Sequence, residues 1–279
     1  HHANIVAWQV LAENKKCILK YISVLESGDI DLISVDHVIT EKTKIVSVSA
    51  CSNTTGTFLP IEQIIKKAKS IGAIVVLDAA QFVSQKKIDV QSLDVDFLVF
   101  SAHKLFGPYG FGVLYGKKKW LDQMPPYQLG GSMISTVDFQ KATFNSLPFK
   151  FEAGTPHIEG AIATKAAIDF FTSLNLRELF KHEQSLLAKA QSEILSLQGI
   201  KIFGEAKDKA AILSFNVEGA HHSDVGQILD QCGVAVRVGH HCTQPLLKKF
   251  KLTGTVRASI SIYNNENDVD QLIEGVKKA

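Results

Sequence analysis

The chain has 279 residues, 46% of them hydrophobic and 21% charged, with 30 Lys+Arg against 28 Asp+Glu and a formal net charge of +2. Such a composition fits a folded globular protein of one large or two medium domains and excludes a disordered chain. Near-neutral charge with scattered lysines excludes an extended nucleic-acid footprint, and no apolar run approaches the ~20 residues of a membrane span.

The first residues, His1-His2-Ala3-Asn4, have two readings: a purification-tag stub, or a segment with a role of its own. From residue 44 to 115 strand and helix signals alternate. Lys44 to Val48 is a β-branched run, followed by a loop at Asn53-Thr54-Thr55-Gly56. Pro60 stands where a helix starts, with Ile61, Ile64, Ile65, Ala68 and Ile71 at helical spacing and Gly72 as the stop. Ile74 to Leu77 is a buried-strand run closed by Asp78, and Phe97 to Phe100 is another, closed by Ser101-Ala102-His103-Lys104. Gly107 to Gly112 then makes a turn. This rhythm predicts an α/β protein with a mostly parallel sheet and flanking helices. Helical texture runs from about Ile158 to Leu197 with a break near Asn175. Strands are predicted at Ala211–Val217 and Val234–Val238, a short helix after Ser223, and a last helix ending at Lys278. The domain boundary is accordingly placed at 170, with a large domain over 1–170 and a smaller α+β domain over 171–279.

The polar residues of interest come directly after strands, where ligands bind in open α/β sheets. A lysine set directly after a buried strand can have its pKa lowered until it serves as a nucleophile, the requirement for a Schiff base with an aldehyde cofactor. Lys104 holds that position, and Asp78 ends the strand one βαβ step upstream. A carboxylate there can pair with a protonated pyridine nitrogen, although a helix-capping role would also explain Asp78. Asp78, Gln81 and Lys104 together favour a pyridoxal 5′-phosphate (PLP) enzyme.

Cys17, Cys51, Cys232 and Cys242 form no CxxC pair, so neither a disulfide framework nor a zinc ribbon is expected, and a reducing, cytoplasmic compartment fits, organelles included. Cys17, Cys51 and Cys232 read as core or near-core positions. Cys242 differs, with Arg237, His240 and His241 within five residues of it. Cationic or hydrogen-bonding neighbours favour a reactive thiolate. Adjacent residues such as His240, His241 and Cys242 seldom converge on one ion, so no metal site is expected. Arginine occurs only at Arg177, Arg237 and Arg257. A guanidinium fork clamps a carboxylate better than lysine does, which singles out Arg237 and Arg257, whereas Arg177 reads as a surface residue in a helix.

His1-His2-Ala3-Asn4, Ser52-Asn53, Asp78-Ala79-Ala80-Gln81, Ser101-Ala102-His103-Lys104, Phe151-Glu152-Ala153-Gly154-Thr155-Pro156 and Arg237-Val238-Gly239-His240-His241-Cys242 form an ordered set. With these motifs the chain resembles the class V aminotransferase family of fold-type I PLP-dependent transferases, and within it the SufS-like (group II) cysteine desulfurases. The resemblance implies Lys104 as the Schiff-base lysine, Asp78 on the pyridine nitrogen, Asn53 and Gln81 on the phenolic oxygen side, and His1 stacked on the ring. It implies Ser101 and His103 on the phosphate, Thr155 as a phosphate contact given to a partner subunit in a homodimer, Arg257 as the substrate carboxylate anchor, and Arg237 on the substrate side of the Cys242 loop.

The implied reaction converts L-cysteine to L-alanine and leaves a persulfide on Cys242. A sulfur-acceptor protein of the SufE/SufU type then takes that sulfur toward iron–sulfur cluster assembly. The resemblance also implies an upstream stretch with a Thr-rich phosphate-binding turn that nothing in this chain matches. Two other readings stand beside this one: a selenocysteine lyase or other enzyme of the same superfamily, and a cofactor-free scaffold, partner subunit or inactive fragment.

Overall fold

The computed structural model describes all 279 residues. The chain opens with α1 (Ala3–Lys15) and α2 (Leu32–Val38), then runs through β1 (Ile45–Ser49), α3 (Ile61–Ser70), β2 (Ile74–Asp78), α4 (Val90–Leu93), β3 (Phe97–Ser101), β4 (Gly112–Gly116) and α5 (Lys118–Gln123). A hairpin of β5 (Ile134–Val137) and β6 (Ala142–Phe144) leads to two long helices, α6 (Ile158–Ser173) and α7 (Leu176–Leu195). The last part comprises β7 (Ile200–Phe203), β8 (Ile212–Val217), α8 (His222–Gln231), β9 (Arg237–Gly239), α9 (Gln244–Lys249), β10 (Thr255–Ser259) and α10 (Glu266–Lys278).

Strands β1, β2 and β3 pair in parallel in that order, and β4 closes the sheet antiparallel to β3. Their apolar runs bury alternate residues: Val75 and Leu77 are fully buried, as is Ile64 of α3, which covers them. Each such side chain contributes about 1.5–3 kcal/mol of apolar burial. Strand register aligns the polar ends. Ser49 pairs with Asp78, and Asp78 with Val99, so the carboxyl ends of β1, β2 and β3 lie side by side. Asp96, a buried carboxylate just before β3, is held by Lys69, by the Val75 N–H at 2.9 Å and by Trp120 Nε1 at 2.8 Å. It fixes the entry to β3 and so the height at which Lys104 emerges.

The second sheet is antiparallel, in the order β7-β8-β10-β9. It has its own core, built from Leu213, Phe215, Val225, Leu229, Val256 and their neighbours. Ala210 and Ile212, at the entry to β8, pack instead into the core of the first sheet, locking the two layers together.

Most expected elements appear where the sequence places them. The helical stretch breaks at Asn175, whose side chain caps α7 by accepting from the Glu178 N–H. The strand expected at Val234–Val238 forms later, at Arg237–Gly239, because pairing with β10 selects those residues. The helix expected after Ser223 starts slightly earlier, with His221 as its cap and His222 as its first residue. Cys51 is buried and Cys232 half-buried, but Cys17 is exposed just past α1 and is no core residue.

Candidate active site

The carboxyl ends of the first three strands open into a cavity of about 1040 Å³. His1, Asn53, Asp78, Gln81, Ser101 and Lys104 all line it. Lys104 lies in the 3-10 turn Ala102–Leu105 directly after β3, and the turn closes through the Gly107 N–H donating to Ala102 O at 2.9 Å. A Cβ on Gly107 would stand 2.9 Å from that same oxygen, so the turn that presents Lys104 requires glycine there. Burial holds the Lys104 amine below its ordinary pKa; the Asp78 carboxylate opposes that shift, while Arg257 adds to it. Asp78 accepts from the Ala80 N–H at 3.0 Å and from Ser49 Oγ at 3.4 Å, which fixes its carboxylate at the end of β2.

Three of the expected residues reach the site differently. Arg257 on β10 donates from Nη1 to the Asn53 main-chain oxygen at 2.8 Å, and its Nε is buried with no partner. Such a buried, unanswered donor suits an incoming carboxylate. Arg237 on β9 pairs directly across the ladder with Arg257, so both guanidinium groups leave the same face of the sheet. Burial lowers the Arg257 pKa, and the Arg237 charge adds to the effect. Asn53 lines the cavity, yet its amide Nδ2 donates 2.8 Å to His241 O, tying the loop of Cys242 to the first sheet.

That loop is tightly specified. His241 and Cys242 are consecutive residues in the left-handed region, with φ of 50° and 57°. This geometry turns His241 inward, where its Nε2 meets Thr255 O at 3.0 Å and Oγ1 at 2.9 Å, and leaves Cys242 exposed. Burial pushes the His241 pKa down to about 4, with Arg257 assisting, so the ring is neutral at physiological pH. Thr243 is buried. Its Oγ1 meets Thr54 Oγ1 at 2.8 Å and donates to His240 O at 3.0 Å, while Ser214 Oγ donates to Thr54 O. Nothing in the sequence singles out Thr54, Thr243 or Ser214 for this bonding. His2 joins the loop as well, its N–H donating to Cys242 O at 2.7 Å and its Nε2 accepting from the Gln244 N–H at 3.2 Å.

Two expected contacts lie apart. His103 is exposed beside Lys104 and stacks on Tyr109 with ring centroids 5.4 Å apart. Thr155 is exposed in the loop before α6 and does not line the cavity. Arg177 is exposed on α7, as a surface residue should be.

Parallel strands that deliver a lysine and a carboxylate to one cavity, beside a second sheet that delivers arginines and a cysteine, define a class, and the sequence profile of the aminotransferase class-V family matches residues 1–272. The chain belongs to that family. Among its relatives are a probable cysteine desulfurase of Halalkalibacterium halodurans, 45% identical over 278 residues, and a cysteine desulfurase of Wigglesworthia glossinidia brevipalpis, 44% identical over 280 residues. Each alignment covers 100% of this chain and 68% of the relative. The crystal structure of the cysteine desulfurase CsdA (S-sulfonic acid) from Escherichia coli superposes with a TM-score of 0.96 at 36% identity, covering 100% of this chain and 69% of that one. The fold is thus that of the fold-type I transferases.

Proposed function

We infer that this protein is a PLP-dependent cysteine desulfurase acting on L-cysteine. The observation that carries the reading is the clamp through Asn53, which joins Arg257 and the Cys242 loop to the cavity that holds Lys104 and Asp78. The donor set fits the cofactor: an amine of lowered pKa, a fixed carboxylate one strand away, and Ser101 at the strand end with no capping bond of its own. Lys104 would hold the aldehyde carbon, Asp78 the ring nitrogen, His1 and Gln81 the ring, and Ser101 the phosphate. When bound, PLP supplies an electron sink for the substrate Cα.

The chain's own groups do the rest. Arg257, through its unanswered Nε, orients the α-carboxylate of cysteine, with Arg237 beside it. Lys104, its basicity tuned by burial and Asp78, takes the Cα proton. The Cys242 thiolate forms an S–S bond with the substrate sulfur as the substrate Cβ–S bond breaks. The carbon fragment keeps that electron pair, takes up protons and leaves as L-alanine, while Cys242 carries the persulfide. Exposure of Cys242 at the rim lets a small acceptor protein of the SufE/SufU type collect the sulfur for iron–sulfur assembly. Exposed Thr155 suits a phosphate contact across a homodimer.

Borohydride reduction of the yellow protein followed by peptide mapping tests the cofactor assignment. The label is expected on Lys104, and Cys242→Ala is expected to retain the label while losing alanine release from cysteine. Full alanine release by Cys242→Ala, or a colourless protein unable to take up PLP, would overturn the reading.

A further inference from the structure

The structure changes which side chains surround Cys242. His241 is turned away to Thr255, and His2, 240 positions upstream of Cys242 in the numbering, takes its place. One donor atom each from His2, His240 and Cys242 lies within 4.8 Å of the others. We propose that His2, His240 and Cys242 form a binding site for a thiophilic divalent cation of the zinc type, which caps the Cys242 sulfur and silences it as a nucleophile.

The donor set selects the metal. Two imidazoles and a thiolate suit zinc, whereas calcium and magnesium require oxygen ligands. Tetrahedral zinc, with Zn–N of about 2.0–2.1 Å and Zn–S of about 2.3 Å, separates its ligands by roughly 3.3–3.6 Å. Closing the triad from 4.8 Å therefore takes a shift of little more than an ångström, within reach of side-chain rotation because His240 and Cys242 are exposed.

The backbone holds the donors in place beforehand. The His2 N–H donates to Cys242 O at 2.7 Å, the Cys242 N–H donates to His240 Nδ1 at 3.0 Å, and the Gln244 N–H donates to His2 Nε2 at 3.2 Å. The rings of His2 and His240 lie with centroids 5.4 Å apart. Consecutive left-handed residues at 241 and 242 keep His240 and Cys242 on the outer side of the loop while His241 points in.

Binding has a definite cost. A ligating imidazole carries its proton on the other nitrogen, so each ring gives up or exchanges one exposed bond from a backbone N–H. Water can replace those bonds, so their loss is small beside the gain of three metal–ligand bonds. The thiolate compensates part of the metal charge, and the fourth coordination position faces solvent, as in an open site.

The inference needs only these three donors and stands apart from the reaction proposed above. Zinc chloride titrated calorimetrically into the holoenzyme is expected to bind one ion per chain with loss of that binding in Cys242→Ala, and with at least tenfold weaker binding in His2→Asn and in His240→Asn. In the unaltered protein, zinc is expected to slow iodoacetamide alkylation of Cys242, followed by mass spectrometry, at least tenfold, and a chelator should restore the rate. Zinc binding of unchanged affinity in Cys242→Ala or in both histidine variants, or alkylation of Cys242 at the same rate with and without zinc, would overturn the site. Turnover of cysteine measured with chelator present tests the enzyme reading separately, so the two can fail independently.

Discussion

On the proposed reading, substrate recognition turns on Arg257. Its Nη1 is committed to Asn53 O, and its Nε is buried without a partner, so one face of the guanidinium waits for an acceptor. A lysine cannot serve both directions, because a single ammonium lacks the planar fork. Arg257→Lys is expected to raise the KM for cysteine by roughly 10–100-fold, the equivalent of about 1.5–3 kcal/mol for a charged hydrogen bond, with a smaller fall in kcat. Steady-state alanine release checks this, and an unchanged KM would mean that the carboxylate is held elsewhere. Scarcity pointed to this residue, since arginine stands at only three positions. The orphaned Nε could not be read from sequence, because it depends on a contact between residues 53 and 257.

At the level of elements, the site is a meeting of two loops from different sheets. The Thr54–Thr243 bond and the Asn53–His241 bond hold the left-handed turn that carries Cys242. Thr243→Val removes a buried pairing and leaves Thr54 Oγ1 unanswered, at a cost of about 1–3 kcal/mol. Persulfide formation on Cys242 in a single turnover is expected to slow roughly tenfold, while exchange of the cysteine Cα proton into deuterated water, the step proposed for Lys104, keeps its rate. Equal slowing of both would show that Thr243 supports the whole site and not the nucleophile loop alone.

The strand-terminal residues Asp78 and Lys104 were legible from sequence because a buried β-run ending in polar residues marks the carboxyl edge of a parallel sheet. Strands β7, β10 and the β5–β6 pair were not read out of the chain, being three to five residues long and defined by their partners instead of by apolar pattern. The same reason displaced β9 by three residues at its start. His2 was visible only as half of a His pair; its approach to Cys242 arises from the packing of α1, where Asn4 Oδ1 accepts from Trp8 Nε1 at 3.0 Å and from Ser47 Oγ on β1.

For the molecule as a whole, the β5–β6 hairpin is conspicuous. It pairs with no other strand of its chain, and Phe139 at its tip is fully exposed; Tyr127 and Leu129, earlier in the chain, are 93% and 73% exposed. An isolated two-stranded hairpin is marginal in water, and a fully exposed aromatic at its tip suits an interaction surface. A second copy of the chain is the proposed occupant. Light scattering after size exclusion is expected to give a dimer, and Phe139→Asp is expected to shift it toward monomer; a wild-type monomer at micromolar concentration would remove the dimer from the picture.

Asn53 couples two parts of the site. Its main chain answers Arg257 and its side chain answers the carbonyl of His241, so a single residue reports the state of the anchor to the loop of the nucleophile. Any rearrangement of Arg257 that disturbed its bond to Asn53 would reach the Cys242 loop by this route, and by thermodynamic reciprocity the effect would run equally in reverse. On the proposed reading, sulfur carried by Cys242 and an amino acid held by Arg257 would thus meet at the two hydrogen bonds of one residue.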